Sequence, residues 1–301
     1  VIDEYGYDTW AHFKTYWDKE IGRFTDGKIT ILERGPVRSC IKVVSRYNDS
    51  VLTQYFSLCA GERALRVEAK LDWHEQHKML KLRFDTAFTE DPHAYYEIPF
   101  GVFERPANGE EEPGQSWNAV KQGSEGLALI NDSKYSYDCP DTTLRLTAIR
   151  NVIFADHYSH RPDADFNFTD EGMQRFEYAI FPHKGEVENT KIMKLAAKFN
   201  CRPVTVAESY HKGSGRPQKD SFLEITADNI IATAFKFCED GSGDAVIRCF
   251  ETQGKKTRTY IMCDMLDAAF KVDFLPHEIK TFRIDAEGKV DEVNFLEGIV
   301  Q

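Results

Sequence analysis

Apolar and polar residues alternate over Leu65–Trp73, with Leu65, Val67, Ala69, Leu71 and Trp73 on one face and Arg66, Glu68, Lys70 and Asp72 on the other. A period of two marks an antiparallel strand with one face buried. The same reading predicts strands over Val37–Val44, Val51–Leu58, Leu80–Phe84, Leu144–Ala148 and Arg175–Phe181, with turn signals at Asp26-Gly27 and Ala60-Gly61. The period changes at Asn189–Phe199, where Ile192, Leu195, Ala196 and Phe199 form one helical stripe. His211–Asp220, rich in Gly, Pro and charge, reads as a linker or exposed loop. Beyond it, Phe222–Thr226, Ile230–Phe237, Ala245–Phe250, Arg258–Cys263 and Glu278–Ile284 predict a second, smaller set of strands. The expected fold is all-β: a large sandwich over 1–205 and a small β-sandwich over 206–301.

The chain has 301 residues, a net charge of −11 and a pI near 5.4. An acidic field repels a phosphate backbone, so nucleic acid is not an expected partner. Seven scattered cysteines with no C-x-x-C pair fit a reduced, cytoplasmic setting. No apolar run is long enough for a membrane helix. A start without Met reads as that of a piece of a longer protein. Sequons at Asn48, Asn131 and Asn167 would matter only in a secreted chain.

One string is too particular to be demanded by folding: Glu97-Ile-Pro-Phe-Gly-Val-Phe-Glu-Arg-Pro-Ala-Asn-Gly-Glu-Glu-Glu-Pro-Gly-Gln-Ser-Trp117. It is followed in order by Leu129-Ile-Asn-Asp-Ser-Lys-Tyr135, Ala155-Asp-His157, Phe168-Thr-Asp-Glu-Gly172 and Tyr178-Ala-Ile-Phe-Pro-His183. The set resembles the carboxy-terminal half of family 38 α-mannosidases, and the resemblance runs from Asp8 to Phe282. It implies a large galactose-mutarotase-like β-supersandwich followed by a smaller β-sandwich. It also implies a retaining, zinc-dependent enzyme that removes terminal α-mannose from oligosaccharides, with its nucleophile, acid/base and zinc ligands in an amino-terminal barrel. Those motifs are absent here, so no catalytic or metal-binding residue is assigned to this chain and no cofactor is expected in it. The expected partners are that barrel, in the same polypeptide, and a mannose-containing oligosaccharide; a homo-oligomer is allowed. Docking on the barrel predicts an exposed apolar patch.

The resemblance places the turn after Leu127–Ile130 near the mouth of the active site. Asp132, Lys134 and Tyr135 are therefore the expected substrate-contacting or rim residues, beside the alternative of a turn that satisfies its own backbone. Glu110-Glu-Glu112 is expected to be a solvated or hydrogen-bonded loop, because neighbouring carboxylates on an extended segment diverge. His157-x-x-His160 lacks a third metal ligand, and His74-Glu-Gln-His77 has the wrong order and spacing for a metalloprotease. Trp10, Trp17, Tyr95, Tyr96 and Trp117 are candidate sugar platforms or core anchors. Two rival functions stand beside the mannosidase. A free-standing mutarotase or epimerase would take His157, His183 and Glu97 as acid and base; a carbohydrate-binding module would use aromatics without chemistry.

Overall fold

The computed structural model describes all residues except 12, 90, 156–165, 185–188, 211, 214, 216 and 299–301. Two compact units divide the chain. The first comprises Val1–Ile98, Phe103–Val187 and Ile192–Cys201, and the second Pro99–Val102, Glu188–Lys191 and Arg202–Gln301.

The first unit holds most of a nine-stranded sheet. Its strands lie in the order Thr25–Arg34, Arg38–Tyr47, Ser50–Cys59, Leu65–Trp73, Gly172–Lys184, Glu125–Asn131, Trp117–Gln122, His93–Ile98 and Gly101–Arg105. A five-stranded sheet contains Ile2–Asp3, Lys78–Phe84, Leu144–Asn151, Ser136–Asp138 and Glu112–Pro113, in that order. The alternation in Leu65–Trp73 is realised directly, since Val67, Ala69, Leu71 and Trp73 are buried among Leu80, Leu82, Leu144 and Leu146 of the smaller sheet. Each large side chain buried this way stabilises the fold by roughly 1.5–3 kcal/mol. Gly126 stands opposite His183 in the sheet, where any Cβ would run into the imidazole ring. Helix Asn189–Asn200 buries Ile192, Ala196 and Phe199 and leaves Leu195 half-buried.

Two sequence expectations change. Asp26-Gly27 is not a hairpin turn; it lies inside strand Thr25–Arg34, where Asp26 has φ 55° and the register slips between Thr25 and Lys28. A bulge uses the same left-handed backbone as a turn, so the dipeptide signals either. Several further strands, among them His93–Ile98 and Trp117–Gln122, lie within the long specific string and its flanks.

In the second unit, a three-stranded sheet orders Glu224–Ile225, Thr257–Cys263 and Ala268–Phe274. A four-stranded sheet orders Ile230–Phe237, Ala245–Glu251, Ile279–Ile284 and Val290–Val293. Their core includes Ile230, Ile247, Cys249, Ile261, Phe274 and Phe282. Strand Ala268–Phe274 was not expected from the sequence, although Phe270 and Val272 pack on this core and Ala268 and Phe274 are part of it.

Candidate functional site

Strand Glu125–Asn131 ends in a turn that is held from both sides. Asn131 is buried, and its Oδ1 accepts the backbone N–H of Ser133 at 3.0 Å and of Lys134 at 2.6 Å. Its Nδ2 donates to the Tyr137 hydroxyl, which donates in turn toward the carbonyls of Gln115 and Lys134. An Asn carbonyl capping the N–H groups two and three residues on is the local chemistry that turns a strand end sharply. The burial of Asn131 also removes it as a glycosylation acceptor in the folded chain.

The three expected site residues lie together on this turn. Asp132 is exposed, and its Oδ1 accepts the Glu177 N–H at 3.0 Å and the Ser133 hydroxyl at 2.8 Å. Lys134 is half-buried, with its ammonium 5.1 Å from the centre of the Phe176 ring. Burial holds its pKa below the ordinary value, against the pull of Asp170 and Asp132. Tyr135 projects into solvent with 62% of its surface exposed, while its carbonyl accepts the Gly114 N–H at 3.0 Å. Part of Asp132 thus serves the turn itself, whereas the Tyr135 ring stands in solvent and the Lys134 amine lies half-buried over Phe176. Glu97 fixes the neighbouring loop: its carboxylate accepts the backbone N–H of Ser116 at 2.8 Å and also the Ser116 hydroxyl, and the Ser116 carbonyl in turn accepts the Asn131 N–H at 2.8 Å. Burial raises the Glu97 pKa, and the bonds from Ser116 oppose that rise.

A charged network beside the turn was not foreseen. On the face of the small sheet opposite the apolar core, Lys81 donates to Glu111 and to Asp138. Arg145 closes on Asp138 through two nitrogens, the Nη2 bond measuring 2.6 Å. Glu111 also accepts the hydroxyls of Ser136 and Thr147. The Asp138 side chain has no exposed surface. Segment Thr15–Tyr16 runs beside the network, since Glu111 N–H donates to the Thr15 carbonyl at 2.8 Å and Tyr16 bridges Glu110. Burial works against ionising Glu111, but the Lys81 charge and the three donors outweigh it and hold the carboxyl below its ordinary value. All three members of the acidic triplet are partnered: Glu110 accepts Asn108 Nδ2 at 2.8 Å, Glu111 joins the buried network, and Glu112 pairs with Arg105 at 2.7 Å. The only sequence signal was the polar alternation of Lys81 with Leu80 and Leu82, which reads equally as a solvated face.

A further buried carboxylate, Glu4, accepts Arg150 Nε at 2.8 Å and the Trp17 indole N–H. Glu75, from His74-Glu-Gln-His77, accepts Lys78 Nζ at 2.7 Å and Asn48 Nδ2 at 3.0 Å. Among the described residues no three of His, Cys, Asp and Glu gather as a metal site. Asp156, His157 and His160 lie outside the described residues. His183 is buried with its ring 5.8 Å from that of Phe181, as a core histidine. Of the candidate sugar platforms, Trp17, Tyr96 and Trp117 are core anchors, and Trp10 is 69% exposed. Phe13, nearby in the chain, is fully exposed.

Residues 5–158 match the family described as glycosyl hydrolases family 38 C-terminal domain, and the chain belongs to that family. Alpha-mannosidase G of Dictyostelium discoideum is 26% identical over 92% of this chain and 28% of its own length. Human alpha-mannosidase 2C1 is 31% identical over 73% of this chain and 22% of its own length. The chain thus spans about a quarter of the length of these curated relatives. The crystal structure of an alpha-mannosidase from Enterococcus faecalis V583 superposes with a TM-score of 0.72, at 17% identity, over 86% of this chain and 35% of that one. That likeness establishes the same all-β arrangement of sheets.

Proposed function

We propose that these residues form the carboxy-terminal part of a retaining α-mannosidase that removes terminal α-mannose from oligosaccharides. In this reading, residues 1–205 are a mutarotase-like supersandwich and 206–301 the small β-sandwich, together supporting an amino-terminal catalytic barrel in the same polypeptide. The observation that carries the reading is similarity to alpha-mannosidases along 92% of this chain but only 28% of the relative's length. The buried carboxylates support it, because Glu4, Glu111 and Asp138 are each committed to cations that hold the fold together. Hydrolysis with retention needs a carboxyl pair about 5 Å apart flanking the bond. The resemblance assigns that pair, and the zinc that would grip the sugar hydroxyls, to the barrel. The free cysteines are compatible with a cytoplasmic protein.

Within this reading the turn at 131–137 borders the substrate cleft, with Lys134 and Tyr135 facing the sugar and Asp132 fixing the turn. A rigid rim holds a sugar oriented against the reacting groups, and orientation is a large share of catalysis. Lys134→Ala in the longer enzyme is expected to lower kcat/KM for α-mannosides about 10–100-fold, the value of a charge-assisted hydrogen bond. Its thermal unfolding should stay nearly unchanged; unaltered kinetics would return Lys134 to a purely structural role.

The reading is tested by hydrolysis of an aryl α-mannoside, with added zinc, by these 301 residues and by the same gene product extended upstream. Activity in the extended protein alone is the expected result. Activity in the shorter chain would overturn it, and sugar epimerisation by the shorter chain would favour the mutarotase.

A further inference from the structure

Strand Lys78–Phe84 is paired along its whole length on one side, by Leu144–Asn151. On the other side Ile2–Asp3 covers only Met79 and Lys78. Among the described residues, Leu80–Phe84 therefore has a partner strand on one side only. An open edge of this kind presents a row of backbone donors and acceptors that readily takes another strand.

The large sheet extends past the small one next to this edge. Val67, Phe56, Ile41 and Ile31 are consecutive cross-strand partners on its core face. Exposure rises outward along that row, from 1% at Val67 to 37% at Ile41 and 49% at Ile31. The apolar face thus continues where the covering sheet stops. Cavities flank the open edge on both faces. One of about 300 Å³ is lined by Leu52, Phe56, Leu80, Leu82 and Phe84. The other, of about 340 Å³, is lined by Arg23, Lys81, Arg83 and Arg145 together with the carboxylates Glu20 and Asp85.

We propose that the open edge of Lys78–Phe84 takes one further antiparallel β-strand, formed by the residues that precede Val1 in the longer polypeptide. The proposal rests on the reading that such a longer polypeptide exists. Its register is set by the pairs Ile2 with Met79 and Asp3 with Lys78. Continued, that register places Val1 opposite Leu80, and the four preceding residues opposite Lys81, Leu82, Arg83 and Phe84 in turn. Cross-strand partners share a face. The second and fourth residues before Val1 are therefore apolar and fill the inner cavity, and the first and third are polar and face the charged groove. Val1 already follows the pattern: it is apolar, buried and packed in the core that contains Leu80. The added strand closes the sandwich over Phe56 and Ile41.

The test compares backbone hydrogen exchange in these 301 residues and in the longer polypeptide, alongside its α-mannosidase activity. Amides of Leu80–Phe84 are expected to exchange at least tenfold more slowly in the longer protein. In that protein, Arg83→Cys paired with a cysteine at the third residue before Val1 should form a disulfide on mild oxidation. The same partner moved to the fourth residue should not. An active longer enzyme with unprotected Leu80–Phe84 and no register-specific disulfide overturns the strand while leaving the proposed function intact. Protection and the disulfide in an inactive protein would do the reverse.

Discussion

Asp138→Ala is expected to destabilise the first unit by about 3–5 kcal/mol, the cost of breaking one side of a buried ion pair. Asp138 accepts from both Lys81 and Arg145 and has no exposed surface, so its loss leaves Arg145 without its carboxylate and Lys81 with Glu111 alone. Both cations are largely withdrawn from solvent, with only 3% of the Lys81 side chain and 13% of the Arg145 side chain exposed. Lys81→Met should cost less, since Glu111 keeps the Ser136 and Thr147 hydroxyls and Asp138 keeps Arg145. The chain's tryptophans, at 10, 17, 73 and 117, all lie in the first unit, so their fluorescence during urea denaturation follows that unit. A loss below about 1 kcal/mol for Asp138→Ala would mean that the network is solvated, as surface pairs are.

Asn131→Ala is expected to cost about 2–3 kcal/mol by the same measurement, because one substitution removes three hydrogen bonds worth roughly 1 kcal/mol each. The N–H groups of Ser133 and Lys134 lose their acceptor, and the Tyr137 hydroxyl loses its donor while keeping the Gln115 carbonyl. Asn131→Asp retains the two acceptances and separates the turn's geometry from the Tyr137 bond. In the longer enzyme, Asn131→Ala should depress α-mannoside turnover at least as much as Lys134→Ala, because it releases the whole turn. A folded variant with a normal rate would show that the turn does not shape the cleft.

The strands most legible in the sequence were those whose faces differ in polarity. Leu65–Trp73 and Ser50–Cys59 lie where alternation placed them, because a buried and a solvated face impose a period of two on one short segment. Strand Trp117–Gln122 was less legible, since its first four residues are all buried and Asn118 interrupts the apolar run. The candidate turn was legible as chemistry, an Asn-Asp pair after an apolar strand, and family motifs supplied its suggested role. Its clamp was not legible, because the Tyr137 hydroxyl reaches back to Gln115 across the strand pairing.

By itself the sequence determined the all-β class, the helix at Asn189–Asn200 and, through its motif order, the family. These depend on periods and strings contained in neighbouring residues. Only the tertiary structure decided which polar face would be dry. Lys81 looks like any solvent-facing strand residue until Glu111 and Asp138 close on its amine. Likewise, Ile31 and Ile41 look like core residues until the smaller sheet stops short of them. Alternation sets which side a residue points to, and what lies on that side is set by segments distant in the chain.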